Sequence, residues 1–309
     1  TQIATAQSHG LTQLLDARGK TEQWAWDNYG SQFSKIAALV QDPKLAFVRD
    51  YSIAIGAFCM FGVDAPTPAV YQALNPNTPI LGWNQGDEFV QTQLATQWGH
   101  WNEANNLSLN LAFLSCLEPG TDIPASQLKI NAKGGVDLTR LTWEENVHYT
   151  SLLLSDGDSF NFNIYYLNDP EKMYYQHADR GRFPFGWGSS CASLYQTAPS
   201  VLRLLGSQAT SNDVFYLFGG GYYYPDTYAQ SNSSASLAAH LAQIKPLTEA
   251  MDVRMANFIF TDYDSAAAAT ARTAIAQGLP NMDGFFGIEY NPYTAGQGTI
   301  LWLNNGQGT

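Results

Sequence analysis

The chain contains eight short runs of β-branched and aromatic residues, and this repeated pattern is the strongest constraint on its fold. Most runs end in a polar or glycine-containing turn, and a segment with helical periodicity usually follows. Apolar strands that alternate with helices are typical of a parallel sheet covered on both faces. The count of eight favours a (β/α)8-like, irregular barrel of the α/β class, with an open doubly wound sheet as the alternative. The predicted strands are Pro79–Trp83, Leu107–Leu114, Val147–Leu154, Phe183–Trp187, Val214–Phe218, Asn257–Phe260, Gly284–Ile288 and Thr299–Leu303.

The first part of the chain has a helical pattern instead. Thr21 precedes a periodic run that reaches Leu39, and Pro43 opens a second predicted helix over Lys44–Phe61. We therefore predict an N-terminal helical segment, residues 1–78, packed on a barrel-like domain, residues 79–309, in one compact unit. Helices predicted in the second part are Glu88–Gln97, Phe160–Leu167, Ala192–Leu205, Ser236–Met251 and Ser265–Gln277.

Charge and composition exclude several classes of protein. With 27 acidic and 15 basic side chains, the net charge of −12 disfavours binding to nucleic acid or to an anionic membrane surface. The apolar content of 45% is too high for a disordered chain. The longest apolar stretch, Ser52–Val63, is shorter than the about 20 residues that a membrane-spanning helix needs. This acidic, aromatic-rich composition predicts a secreted or extracellular protein.

Carboxylates follow several predicted strands. Because the carboxyl ends of parallel strands form the functional edge of such folds, we expect these side chains to share one rim. In the turn Ser155–Ser159, Gly157 separates two carboxylates, which could belong to an acid/base or acid/nucleophile pair or to a site for a divalent metal such as calcium. The favoured interpretation has no cofactor and no metal, since neither histidines nor cysteines have metal-ligand spacing. The candidate catalytic residues are Asp158, Glu289, Asp156, Glu88 and Asp262.

Aromatic side chains occur beside the same turns. Sugar rings present apolar C–H faces that stack on aromatic planes, while carboxylates bind their hydroxyl groups. Tyr and Trp also dominate protein cores, so packing is the alternative interpretation. The candidate substrate-binding residues are Trp83, Trp187, Tyr222, Tyr224 and Tyr290.

The segment Gly219–Pro225 reads Gly-Gly-Gly-Tyr-Tyr-Tyr-Pro. It resembles the signature of the GxGYxYP family, whose predicted activity is glycoside hydrolysis and whose members are found largely among secreted bacterial proteins. The turn Ser155–Asp158, the segment Arg182–Trp187 and Asp283–Phe286 fit the same resemblance, which runs from about Leu14 to the C-terminus. It implies a barrel-like α/β fold and a carbohydrate substrate, and it carries no catalytic assignment.

Two hypotheses follow. In the first, the chain is a glycoside hydrolase that acts on an extracellular polysaccharide or oligosaccharide, with Asp158 and Glu289 as the favoured carboxylate pair and the other three carboxylates as rivals. In the second, it is a non-catalytic extracellular protein that binds carbohydrate or has a structural, self-assembling role. A pocket between two carboxyl groups would favour the first hypothesis, and a rim filled by side chains would favour the second.

Overall fold

The computed structural model is a mixed α/β protein with two parallel β-sheets. The structure describes residues 2–84, 86–117, 122–134, 142, 144–156, 158–171, 174–232, 234–290 and 300–306. The strands are β1 (Ala38–Val40), β2 (Phe58–Met60), β3 (Pro79–Gly82), β4 (Trp101–Glu103), β5 (Leu153–Leu154), β6 (Phe185–Ser189), β7 (Asp213–Phe218), β8 (Met255–Phe260) and β9 (Gly284–Glu289). The α-helices are α1 (Gln2–Ser8), α2 (Glu22–Tyr29), α3 (Arg49–Ile55), α4 (Thr67–Ala73), α5 (Glu88–Gln97), α6 (Leu111–Leu117), α7 (Ala125–Leu128), α8 (Cys191–Thr197), α9 (Pro199–Gln208), α10 (Leu237–Met251) and α11 (Ala266–Gly278).

The two sheets have four and five strands. Their strand orders are β2-β1-β3-β4 and β5-β6-β7-β8-β9, and neighbouring strands are parallel throughout. The prediction of a parallel α/β fold is confirmed. A closed (β/α)8 barrel is not confirmed, because the described strands pair as two separate sheets. One antiparallel bridge, between Asn102 and Tyr222, joins the end of β4 to the segment after β7.

Most predicted strands and helices after residue 79 are confirmed, often with shifted ends. The helix predicted over Phe160–Leu167 is a π-helix, Phe162–Tyr166. Three predictions are wrong. The run Leu107–Leu114 is not a strand: α6 begins at Leu111, after Asn110 in the left-handed region (φ 57°). The described residues of Thr299–Leu303 are not in a strand either. The helix predicted over Ala192–Leu205 is two helices, α8 and α9, because Pro199 starts a new one.

The N-terminal prediction is corrected in a similar way. The predicted helix up to Leu39 ends at Tyr29, and Ala38–Val40 forms β1 at the centre of the four-stranded sheet. The second predicted helix ends at Ile55, where Gly56 adopts the left-handed conformation (φ 67°) and the chain enters β2. Short apolar runs do not distinguish buried strands from buried helices. The division at residue 78 stays a prediction, and β1 and β2 form one sheet with β3 and β4 from beyond it.

Three groups of buried side chains hold the fold together. The largest packs Leu217 of β7 and Phe258 of β8 against the helices. A second packs β1–β3 against α2, α4 and α5. A third, smaller group contains Phe218 and Ile259, which lie on the opposite face of the five-stranded sheet because neighbouring residues of a strand alternate. This third group contains the signature tyrosines.

Candidate functional site

The aromatic cluster, defined as Trp83, Phe89, Tyr222, Tyr224 and Tyr290, packs on Phe218 and Ile259. Trp83 stacks on Tyr222 with centroids 6.2 Å apart, and Phe89 stacks on Tyr290 at 5.7 Å. Four of the five predicted substrate-binding residues therefore lie together. However, Tyr222 is 1% exposed and Tyr224 is 0% exposed, so other side chains cover the faces of both rings.

The glycines of the signature allow this packing. Gly219 and Gly221 both have positive φ, 52° and 121°. A Cβ atom at Gly221 would lie 2.2 Å from the ring of Trp101. Directly after it, Tyr222 exchanges two backbone hydrogen bonds with Asn102, each 2.9 Å long. The signature is thus a tight turn that docks its tyrosines against the end of β4.

Tyr222 connects the aromatic cluster to carboxylates. Its hydroxyl donates a hydrogen bond to Oε1 of Glu88, and burial, the largest cause, raises the pKa of the tyrosine. Glu88 lies in the first turn of α5, where the Asp87 side chain caps the helix by accepting from the Phe89 N–H at 2.7 Å. The cap fixes the start of the helix and therefore the position of Glu88.

Asp158 is the central carboxyl group of the site. Burial, the largest cause, together with the negative charges of Asp156 and Glu88, raises its pKa to about 7. The charges of two other predicted catalytic residues, Asp156 and Glu88, therefore act on Asp158. We define the acidic group as Glu88, Asp156, Asp158 and Glu103, because the charge of Asp158 also acts on Glu103.

Glu103 was missed by the sequence analysis. It is the last residue of β4 and is 3% exposed, and burial raises its pKa to about 8, with a further contribution from the charge of Asp158. Ser193 donates a hydrogen bond to its Oε2, and Oε1 has no hydrogen-bond partner among the described residues. Trp-Asn-Glu does not look like a buried strand, and β4 consists of only these three residues. The sequence feature that could have indicated Glu103 was an acidic residue between two predicted strands, Pro79–Trp83 and Leu107–Leu114.

The segments on either side of the acidic group are tied to each other. Asn161, three residues after Asp158, donates its N–H to the Ala104 carbonyl at 3.2 Å and its side-chain amide to Asn106 at 2.9 Å. Its Oδ1 accepts the N–H of Leu107 at 3.1 Å. These bonds bring the end of β4 beside the turn after β5, across the gap between the two sheets.

Glu289 and Asp262 lie in different surroundings. Glu289 pairs with Phe260 in the register of β8 and β9, so its side chain is on the Phe260 face rather than the face of Ile288 and the aromatic cluster. Its Oε2 accepts the backbone N–H of Tyr263 at 3.0 Å. Asp262 is exposed, and its backbone N–H donates to Asp226 at 3.0 Å. The structure does not bring these two side chains into the acidic group.

Trp187 is also separate from the other predicted substrate-binding residues. It is 6% exposed, belongs to the largest core group, and donates its indole N–H to Asp213 at 2.9 Å. Asp213 in turn forms an ion pair with Arg180 at 2.5 Å. A cavity of about 220 Å³ next to Trp187 is lined by aromatic residues that include Tyr174, Phe183 and Phe185, and by polar residues that include Arg180.

Residues 146–305 match the GxGYxYP putative glycoside hydrolase C-terminal domain. The match covers half of the chain and includes the signature turn, Asp158 and the five-stranded sheet. The chain belongs to the GxGYxYP family. Carbohydrate is the substrate class that this family's description implies.

A solved structure supports the same relationship. The chain is similar to a putative hydrolase from Bacteroides thetaiotaomicron VPI-5482, with 26% sequence identity and a TM-score of 0.78. The similarity covers 98% of this chain and 57% of that protein, so the chain spans less than two thirds of its relative's length. No protein with a curated description matches the chain.

The described residues contain neither a metal-binding cluster nor a membrane-spanning helix. Within those ranges, no group of three or more His, Cys, Asp or Glu side chains has an arrangement that could hold a metal ion. Calcium near Asp156 and Asp158 stays a prediction, and Gly157 between them lies outside the described residues. In the same part of the chain, no helix has the length and apolar character required to cross a bilayer.

Proposed function

We propose that the chain cleaves a glycosidic bond in an extracellular polysaccharide, with Asp158 as the proton donor and Glu88 as the second carboxyl group. The observation that carries the proposal is the raised pKa of Asp158, about 7, beside the charges of Glu88 and Asp156. A general acid works best when its pKa is near the working pH, because it is then protonated yet still able to release its proton.

The surroundings of Glu88 suit the second role. The hydroxyl of Tyr222 donates a hydrogen bond to its carboxyl group and holds that group in place. In glycoside hydrolysis the acid protonates the leaving oxygen as the C–O bond breaks. The ionised carboxylate acts at the anomeric carbon as a nucleophile or activates a water molecule. The Asn102–Tyr222 bridge between the sheets supports a barrel-like arrangement around this site.

Four variants test the assignment: Asp158→Asn, Glu88→Gln, Glu289→Gln and the control Asp252→Asn. Asp252 is exposed and has a positive φ of 56°, a conformation that Asn also adopts readily. Each variant is incubated with a panel of polysaccharides, and the oligosaccharide products are separated by chromatography. Circular dichroism verifies folding, and a parallel series with EDTA tests the calcium prediction.

We expect Asp158→Asn and Glu88→Gln to lose at least about 100-fold in rate, the usual contribution of a general acid or base. Glu289→Gln and Asp252→Asn should retain activity. Full activity of Asp158→Asn would remove the proton donor from the proposal. Loss in Glu289→Gln together with an active Glu88→Gln would instead favour the pair predicted from sequence.

The packing of the signature tyrosines favours a second candidate, a non-catalytic protein that binds carbohydrate or has a structural role. Because Tyr222 and Tyr224 are buried, neither offers a free ring face to a sugar. Affinity electrophoresis in gels containing each polysaccharide separates the candidates. Retardation without any product from the wild-type chain supports the second candidate, and product formation supports the first.

A further inference from the structure

The cavity next to Trp187 is a concave site for which neither the family nor the proposed reaction provides a role. We define the aromatic cavity as this space of about 220 Å³, lined by the rings of Tyr174, Phe183, Phe185 and Trp187. Phe185 contacts both Phe183 and Trp187, with ring centroids 6.2 and 4.7 Å apart. Trp187 is buried, whereas Tyr174 and Phe183 are 42% and 47% exposed. Two of the four rings therefore present free surface to a ligand.

The aromatic cavity is separate from the aromatic cluster around Tyr222. Trp187 of β6 pairs with Phe215 of β7, and both belong to the largest core group, between the five-stranded sheet and its helices. Phe218 of β7 points the other way and packs against the aromatic cluster. The two groups of rings thus lie on opposite faces of the same sheet.

The charged side chains that line the aromatic cavity already have partners of opposite charge. Arg180 forms an ion pair with Asp213 at 2.5 Å, and Asp179 forms one with Arg182 at 2.5 Å. A ligand with its own charge would have to compete with one of these pairs. The cavity therefore suits a neutral ligand.

The edge of the cavity also offers groups for hydrogen bonds. The backbone N–H of Asp179 donates to Nδ1 of His177 at 3.1 Å, and both residues line the cavity. Because Nδ1 accepts this bond, Nε2 of His177 carries a proton and can donate it to a ligand. The carboxylate of Asp179 has more acceptor sites than its bond with Arg182 uses. A donor and an acceptor thus lie beside aromatic ring faces.

Hydrogen bonds to the neighbouring chain fix the cavity before any ligand binds. Arg180 donates from Nη2 to the Gln208 carbonyl at 2.9 Å. The Asn212 side chain donates to the Gly181 carbonyl at 2.7 Å, and the Asn212 carbonyl accepts the N–H of Phe185 at 2.8 Å. A site held in this way loses little conformational freedom on binding.

We propose that the aromatic cavity is a second, non-catalytic binding site for a neutral sugar ring. The apolar C–H face of the sugar stacks on Tyr174 and Phe183, and its hydroxyl groups bond to His177 and Asp179. The proposal rests on the proposed function for its ligand class, a polysaccharide, and it requires no cleavage. Binding one part of a polysaccharide here raises the effective concentration of the rest of that chain at the acidic group.

The test follows the tryptophan indole N–H signals of the ¹⁵N-labelled whole chain during titration with neutral hexasaccharides of glucose, xylose, mannose and galactose. The Trp187 signal is assigned by its loss in Trp187→Phe, or by nuclear Overhauser contacts to Phe185 if that variant fails to fold. The Trp83 signal, assigned by its loss in Trp83→Phe, reports on the aromatic cluster in the same spectra. The titration is run in the wild type and in Asp158→Asn, so that cleavage of the probe does not affect the result.

We expect the Trp187 signal to shift and to saturate with at least one hexasaccharide. Phe183→Ala and Tyr174→Ala should each raise the Kd of this response about tenfold, because each removes a ring face that the sugar covers. Phe113→Ala is the matched control, since Phe113 on α6 is also exposed, and it should leave the Kd unchanged. In Phe183→Ala any response of Trp83 should keep its midpoint.

Three results would overturn the proposal: a Trp187 signal that no hexasaccharide moves, a Kd that is the same in Phe183→Ala and the wild type, or a response to free indole alone. Failure of the proposed function gives a different result. If the wild type forms no product but Trp187 still responds, the sugar site stands and the hydrolase proposal falls. Products without a Trp187 response would refute the sugar site alone.

Discussion

Replacing Gly221 by alanine tests whether the signature turn is fixed by close packing on β4. Gly221 has φ 121°, and a Cβ atom there would lie 2.2 Å from the ring of Trp101. The chain offers a closely matched control. Gly62 has φ 120°, and nothing lies within 4 Å of its hypothetical Cβ atom.

The expected destabilisation has two parts. A non-glycine residue in this backbone conformation costs about 1–3 kcal/mol, and both variants carry that strain. Only Gly221→Ala also overpacks, since the indole ring of Trp101 must shift, which adds about 1–3 kcal/mol. We therefore expect Gly62→Ala to lower the free energy of unfolding by about 1–3 kcal/mol and Gly221→Ala by about 2–6 kcal/mol.

Urea unfolding followed by tryptophan fluorescence measures both values by linear extrapolation. The difference between the two variants isolates the clash with Trp101. Equal destabilisation of the two variants would refute the packing argument and leave only backbone strain. In a Trp101→Ala background the two glycine substitutions should become nearly equal, because the ring that collides with the new methyl group is gone.

Three further predictions concern buried polar groups. Because the pKa of Glu103 is raised to about 8, the folded protein keeps a proton that the unfolded chain releases near pH 4. The stabilisation that this proton gives to the folded state is present below about pH 4 and is lost as the pH rises through about 8. Urea titrations should therefore show that the free energy of unfolding depends less on pH in Glu103→Gln than in the wild type. Tyr222→Phe removes the hydrogen bond to Glu88 and should cost about 1.5–3 kcal/mol in thermal unfolding, and an unchanged Tm would contradict that bond. Arg180→Met leaves Asp213 buried without its counter-charge and should cost about 3–5 kcal/mol, while a neutral effect would show that the other donors to Asp213 suffice.

Residues that follow a run of consecutive apolar residues were predictable from the sequence. Pro79–Trp83 is followed by Asp87, a helix cap, so both the strand end and the position of Glu88 could be inferred. The motif Gly219–Pro225 identified the family because its fixed residues are rare in combination. Glu103 could not be found in this way, since β4 is three residues long and two of them are polar. Its burial depends on α8, which is nearly ninety residues away in the chain.

The sequence by itself determined the parallel α/β class, the family and the concentration of carboxylates and aromatics after the strands, because local periodicity and short motifs carry that information. Only the tertiary structure decided which of those side chains meet. Strand register turns Glu289 toward the Phe260 face, and long-range packing buries the ring faces of Tyr222 and Tyr224. The same packing places Glu103 beside Asp158, and the loss of water there raises the pKa of both carboxyl groups. Burial and charge proximity arise between segments distant in the chain, so no local pattern specifies them.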